Sequence, residues 1–127
     1  MCSQKNRGGT LKETTLWTNP SPTSNFDTQD VTLSDDYTNY DYVKFYVRTS
    51  TTNATLGEVI YPSNMLTQST ANQGIQCFMG ARPSSNYVRL LRHVANNKIH
   101  IHIAEPPASS GSSTTAAIPT KITGCKL

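Results

Sequence analysis

Hydrophobic and polar residues alternate along most of this chain with a period of two. Between residues 42 and 48, for example, Val43, Phe45 and Val47 alternate with tyrosines and basic residues. This pattern is typical of a β-strand that is buried on one face. Eight segments show it, and clusters of Pro, Gly, Asn and Ser separate them. The segments are residues 14–18, 29–34, 42–48, 55–61, 75–81, 87–95, 98–104 and 117–125.

No segment carries the apolar stripe of an amphipathic helix. A helical turn fits only within residues 63–73, where Met65 and Leu66 supply apolar contacts. The pattern therefore predicts an all-β fold: an antiparallel β-sandwich, jelly-roll-like, with about eight strands. At 127 residues the chain is long enough to bury one core, so we expect residues 10–127 to form a single domain.

The composition is rich in uncharged polar residues. Hydrophobic residues make up 35% of the chain and charged residues 15%, while Ser and Thr together fill 31 positions. Hydroxyl side chains suit the outer faces of sheets, where they meet water, glycans or a neighbouring subunit. The net charge of +3 comes from scattered single Lys and Arg residues. Because these residues form no basic cluster that could bind along a phosphate backbone, we expect no nucleic-acid binding.

Apolar runs and cysteines indicate the cellular compartment in which the chain is made. No apolar run is long enough to cross a bilayer, and the polar opening residues are unlike a signal peptide. We therefore expect no membrane insertion. The three cysteines form no C-x-x-C pair, and an odd count fits synthesis in a reducing cytoplasm.

Two phrases near the ends of the chain resemble a known family. Residues 16–26 read LWTNPSPTSNF, with the single tryptophan followed by two prolines, and residues 118–126 read IPTKITGCK. Together they resemble the small β-sandwich domain that closes fibre, tail and other minor structural proteins of bacteriophages and prophages. The resemblance implies a virion structural protein, made in the bacterial host cytoplasm, that attaches to the host surface. We also expect residues 1–9 to be a flexible leader or the stub of a longer fibre.

The same resemblance implies partners. We expect a symmetric homo-oligomer, with a trimer as the first choice, in contact with other virion proteins and with a bacterial surface glycan. Neither phrase is catalytic. The chain also contains no G-x-S-x-G nucleophile turn and no phosphate-binding P-loop, so we expect no enzymatic activity and no cofactor.

Four tyrosines form the first candidate site. They lie in and beside the third predicted strand, with Asp and Asn residues between them. Sugar recognition uses such a set, because a flat ring contacts the C–H face of a sugar while polar groups bind its hydroxyls. The alternative is that these tyrosines pack against a neighbouring subunit. The candidate residues are Tyr37, Tyr40, Tyr42 and Tyr46.

Three histidines form the second candidate site. A hairpin turn at Asn96 and Asn97 is expected to pair His93 with His100, which places His102 on the same face. Three imidazoles on one face suit Zn²⁺, and His100-Ile101-His102 also resembles the His-x-His motif that holds an axial iron in some trimeric phage fibres. Since neither strand carries an Asp and Glu105 lies beyond the ladder, we expect the histidines to be unmetallated and to face solvent or a subunit.

Two other functions remain as alternatives. The tyrosines are compatible with a carbohydrate-binding module attached to an enzyme. The histidines are compatible with a small His₃ metal-binding protein or metalloenzyme.

Overall fold

A computed structural model of the chain describes residues 12–70, 75–81, 86–106 and 111–127. These residues form two antiparallel four-stranded sheets, ordered β1-β8-β3-β4 and β2-β7-β6-β5. The strands are β1 (Lys12–Thr18), β2 (Gln29–Thr32), β3 (Tyr42–Ser50), β4 (Leu56–Pro62), β5 (Cys77–Ala81), β6 (Tyr87–Ala95), β7 (Lys98–Ile101) and β8 (Ala116–Lys126). The predicted all-β sandwich of eight strands is confirmed. The predicted leader, residues 1–9, lies outside the described residues.

The sandwich is jelly-roll-like at the two ends of the chain. The first strand pairs with the last, β1 with β8, and the second pairs with the seventh, β2 with β7. The middle of the chain instead forms local hairpins, since β3 pairs with β4 and β5 pairs with β6. The two phrases near the chain ends therefore meet in one sheet, where Trp17 lies opposite Ile122.

The core follows the period-two pattern of the strands. Val43, Phe45 and Val47 on β3 are buried, as are Ile99 and Ile101 on β7. Apolar side chains from both sheets join them in one cluster. Alternate residues of each strand thus fill the space between the sheets, as expected for strands with one buried face.

A buried arginine interrupts this apolar core. The Arg89 guanidinium is fully buried and donates hydrogen bonds to the carbonyl oxygens of Ala117 (2.7 Å), Ala116 (2.9 Å) and His102 (3.2 Å). Its carbon Cζ lies 5.2 Å from the ring centre of Phe26. Burial lowers the pKa of Arg89 to about 10, so the side chain remains charged at neutral pH.

Helix is confined to two short segments of the described residues. A 3₁₀ turn spans Tyr37–Asn39, and α1 spans Ser63–Thr67. The predicted helical turn is present, but only one of its two apolar contacts was correct: Leu66 is buried and Met65 is exposed. Residues 71–73 of that prediction lie outside the described residues. No described helix has the length and apolar character needed to cross a membrane.

Candidate functional site

An open pocket of about 490 Å³ lies at the edge of the first sheet, where β3 begins and β4 ends. Pro62 and Leu127 border it, and the buried Ser63 lies at its base. We call it the tyrosine pocket. Its other lining residues are Thr38, Tyr40, Asp41, Tyr42, Asn64 and Thr67.

The base of the tyrosine pocket is held by backbone hydrogen bonds. The Ser63 hydroxyl donates to the carbonyl oxygens of Tyr40 and Tyr37, and the Ser63 N–H donates to the carbonyl of Asp41 at 3.1 Å. The Asp41 N–H in turn donates to the carbonyl of Cys125 at 2.9 Å. These bonds join the 3₁₀ turn, α1 and β8, so the pocket is preformed rather than assembled by a loose loop.

The 3₁₀ turn that carries Thr38 begins with an aspartate cap. Asp36 Oδ1 accepts hydrogen bonds from the side chain and the N–H of Thr38. Because these bonds favour the charged carboxylate, they lower the pKa of Asp36. The local sequence Asp-Tyr-Thr-Asn therefore places Thr38 at the pocket wall through an ordinary capping interaction.

Tyr40 is fixed within the wall of the tyrosine pocket. A Cβ atom added at Gly124 would lie 2.5 Å from Cγ of Tyr40, so the ring packs directly on the backbone of β8. The Tyr40 hydroxyl donates to Asp35 Oδ2 at 3.0 Å. Burial and this hydrogen bond raise the pKa of Tyr40. The ring of Tyr40 thus contacts Gly124, and its hydroxyl is hydrogen-bonded to Asp35.

Tyr42 is the freer of the two tyrosines. It is half-buried at the start of β3, and its hydroxyl makes no hydrogen bond within the described part of the chain. The same holds for the side-chain amide of Asn64. One carboxylate oxygen of Asp41, Oδ2, accepts from the N–H of Leu127 at 2.8 Å. The pocket thus presents an aromatic ring beside polar groups that still have hydrogen-bonding capacity.

The structure separates the four predicted tyrosines. Tyr40 and Tyr42 line the pocket, whereas Tyr37 is fully buried in the core. The Tyr37 hydroxyl lies 2.6 Å from His93 Nδ1, and burial raises its pKa strongly. Since Tyr37 has no exposed surface, it does not form part of an exposed contact surface in this chain.

Tyr46 belongs to a different cluster on the outer side of the first sheet. Its hydroxyl bonds to the carboxylate of Glu13, and the ammonium of Lys121 lies 4.5 Å from its ring centre. The buried Lys44 lies 3.7 Å from Glu13 and 3.6 Å from Glu58. Burial acts against the charge on Glu13, but hydrogen bonds from Tyr46 and Thr123 together with the charges of Lys44 and Lys121 outweigh it, and the pKa is lowered.

Sequence reasoning missed the residues that α1 contributes to the pocket. Asn64 and Thr67 follow Pro62, which lies directly opposite Tyr42 in the β3–β4 hairpin. The register of this hairpin was the available signal, because it brings the predicted helical turn beside the tyrosines.

The prediction that three histidines project to one side of one hairpin is wrong. The turn at Asn96 and Asn97 forms as expected, but the ladder shifts register between His93 and Ala95. His93 therefore lies opposite Ile99, and His100 lies opposite Arg92. Because a one-residue bulge moves each following side chain to the other face, His93 and His100 belong to opposite faces of the sheet.

The burial of β6 follows the same register. Arg89 and Leu91 are buried with the isoleucines of β7. The residues that alternate with them, Val88, Leu90 and Arg92, lie on the outer side, where they are half-buried.

His100 has the carboxylate partner that the local sequence did not predict. Asp30 lies directly opposite His100 in the β2–β7 pair, with Oδ1 2.7 Å from Nδ1. The other ring nitrogen, Nε2, is buried and has no hydrogen-bond partner among the described residues. An open recess of about 290 Å³ lies beside this pair and is bordered by Asp30, Arg92, His93, Val94 and His100. We call it the histidine recess.

The histidines do not form a three-ligand metal site. The rings of His100 and His102 lie 6.2 Å apart, and His102 Nε2 is 3.9 Å from Glu105 Oε1. Within the described ranges no group of three His, Cys, Asp or Glu side chains is placed to hold a metal ion. A His₃ centre therefore has no geometric support in this part of the chain.

The cysteines differ from one another. Cys77 is free and buried, whereas Cys125 is buried and disulfide-bonded. Because disulfides are characteristic of oxidising compartments, the odd cysteine count does not by itself support a reducing cytoplasm.

A scan against protein-family models and a search of the curated proteins both find no match to this chain.

Proposed function

We propose that this chain is the β-sandwich end domain of a phage or prophage fibre, tail or head-attached protein, and that it attaches the particle to the bacterial surface. The observation that carries the proposal is the tyrosine pocket. It is open and preformed, and it combines a half-buried aromatic ring with polar groups that have no hydrogen bond to a described residue, as a surface-recognition site requires. The role is binding rather than catalysis.

Contact between the two resemblance phrases supports the virion setting. Asn19 of the first phrase donates from Nδ2 to the carbonyl of Pro119 at 2.8 Å, and its N–H donates to the carbonyl of Thr120 at 2.9 Å. Within the first phrase, Trp17 packs edge-on against Phe26, with ring centres 6.1 Å apart. The phrases thus form one structural unit around the end of β1, in keeping with their origin in one kind of domain.

Immunogold electron microscopy tests the virion assignment. Antibodies against this chain are applied to particles released from the bacterium that carries its gene. We expect gold label at a fixed position on the particles, at a fibre, the tail or the head. Particles that carry no label, while the chain is present in the lysate, would overturn the assignment.

A carbohydrate-binding module is the second candidate, and the tyrosine pocket favours it equally. Sedimentation equilibrium separates the two candidates. The virion proposal expects a trimer, with three times the 13.9 kDa mass of the chain. A monomer of 13.9 kDa at micromolar concentration favours the separate module instead.

A further inference from the structure

We infer that the tyrosine pocket binds a neutral saccharide, with Tyr42 as the face on which the sugar ring stacks. The inference deepens the proposed attachment role and rests on it. A volume of about 490 Å³ lies within the usual range of small-ligand sites. It accommodates one or two sugar rings rather than a long buried chain.

Tyr42 is assigned as the stacking residue because the other pocket tyrosine is already engaged. Tyr40 packs against Gly124 and donates to Asp35, so neither its face nor its hydroxyl is available without rearrangement. Tyr42 is half-buried, lines the pocket and has no hydrogen bond to a described residue. An aromatic ring in this state offers the apolar C–H face of a sugar a partner at low entropic cost.

Polar groups for the sugar hydroxyls come from α1 and from the start of β3. Asn64 supplies an amide that donates and accepts. The N–H of Leu127 bonds to Oδ2 of Asp41, and Oδ1 has no hydrogen bond to a described residue. Thr67 donates its hydroxyl proton to the carbonyl of Asn64 at 2.9 Å, so its oxygen is left to accept. This arrangement suits neighbouring hydroxyl groups, each of which donates and accepts.

The charge around the pocket selects against acidic sugars. None of the described lining residues is Lys, Arg or His, while Asp41 contributes a carboxylate. Asp35 adds a second carboxylate behind Tyr40, and Asp36 a third at the cap of Thr38. A uronate or sialate would bring its charge beside these carboxylates without a cation to pair with it. We therefore assign neutral hexoses and N-acetylhexosamines as the ligand class.

The experiment measures binding of methyl glycosides to the whole chain by isothermal titration calorimetry and by NMR. The neutral probes are the methyl glycosides of glucose, galactose, mannose and N-acetylglucosamine, and the acidic probes are glucuronate and N-acetylneuraminate. We expect a neutral probe to bind and the acidic probes to bind at least tenfold more weakly. Tyr42→Ala should weaken binding by about fivefold to tenfold, as for loss of one aromatic contact.

Tyr46→Ala is the matched control, because Tyr46 lies on the same strand but outside the pocket. It should bind the neutral probe as the parent does. If Tyr42→Ala folds poorly by circular dichroism, NMR titration of the unsubstituted chain replaces it. Chemical-shift changes should then concentrate at Tyr42 and Asn64.

Each opposite result has a defined meaning. Preferential binding of an acidic probe overturns the assignment of a neutral sugar. Equal binding by the Tyr42 and Tyr46 variants, or shift changes away from the pocket, overturns the location of the site. No binding of any probe also overturns the inference, but it leaves the attachment role standing if particles carry the immunogold label. Unlabelled particles overturn that role whichever sugar binds.

Discussion

The Nε atom of Arg89 donates a 2.7 Å hydrogen bond to the carbonyl oxygen of Ala117, which is the one non-glycine residue with positive φ (50°) in the described part of the chain. A left-handed conformation is unfavourable for alanine by about 1–2 kcal/mol. The buried guanidinium offsets this cost, because it binds the carbonyls of Ala116 and Ala117 together. Arg89 therefore fixes the start of β8, the strand that joins β1 to β3.

Replacing this arginine is expected to destabilise the fold strongly. Arg89→Met leaves two buried carbonyl groups, those of Ala116 and Ala117, and the partly buried carbonyl of His102 without their donor, and each unsatisfied buried group costs about 1–3 kcal/mol. We expect a loss of about 3 kcal/mol or more in the free energy of unfolding, measured by urea titration. Arg92→Met is the control, since Arg92 lies on the outer side of the same strand, and it should change stability by less than about 0.5 kcal/mol. Equal stability of the two variants would contradict the assigned role.

The close packing of Tyr40 on Gly124 is tested by a pair of glycine substitutions. Gly124→Ala places a methyl group 2.5 Å from the tyrosine ring, so the ring or β8 must move. We expect the free energy of unfolding to fall by about 1–3 kcal/mol, as for an overpacked core. Ligand binding in the tyrosine pocket should also be weaker. At Gly57 an added Cβ lies 3.7 Å from Val47 and fits. Thermal unfolding should therefore separate Gly124→Ala clearly from Gly57→Ala, and overlapping melting curves would count against this packing.

The hydrogen bond between the Tyr37 hydroxyl and His93 predicts that His93 contributes more to stability than His102 does. His93→Leu leaves the buried Tyr37 hydroxyl without its partner and should cost about 1–3 kcal/mol. His102→Leu removes a ring that is 36% exposed and should change stability by less than about 0.5 kcal/mol. Urea unfolding of both variants provides the comparison. If His102→Leu is the more destabilised of the two, the assigned register of β6 is wrong.

The Glu13 carboxylate predicts a pH dependence. Its pKa is lowered in the folded chain, so its contribution to stability is present above the unfolded pKa near 4.5 and is lost as pH falls through the folded value. At pH 7, Glu13→Gln should cost about 1 kcal/mol, because it removes a partner of Tyr46 and of the buried Lys44. The difference from the parent should shrink as the pH falls below the unfolded pKa and through the lowered folded pKa of Glu13. A difference that stays constant until both chains unfold in acid would contradict the ionic contribution.

Much of the fold could be predicted from the sequence, because burial of alternate residues imposes a period of two on each strand. The eight strands and the turn at Asn96 and Asn97 follow from it. The register shift beside Val94 could not be predicted, since valine suits a paired strand as well as a bulge. Val94 is 47% exposed, and the register shift beside it puts His93 on the opposite face of the sheet from the one expected.

The candidate site was predictable only in part. The tyrosine cluster pointed to the region where Tyr40 and Tyr42 line the tyrosine pocket, but a tyrosine ring is equally suited to a core and to a surface. The burial of Tyr37 depends on a hydroxyl partner 56 positions away, and the pairing of Asp30 with His100 spans 70 positions. Such partners are set by sheet topology, which local patterning does not determine.

Adhesion of the fluorescently labelled chain to cells of the host bacterium measures attachment through the tyrosine pocket itself. Flow cytometry would compare the unsubstituted chain with Tyr42→Ala and Tyr46→Ala at equal concentration, after circular dichroism has shown all three to be folded. We expect the unsubstituted chain and Tyr46→Ala to bind cells equally, and Tyr42→Ala to lose most of its binding. Equal adhesion by all three chains, or no adhesion by the unsubstituted chain, would contradict attachment through the tyrosine pocket.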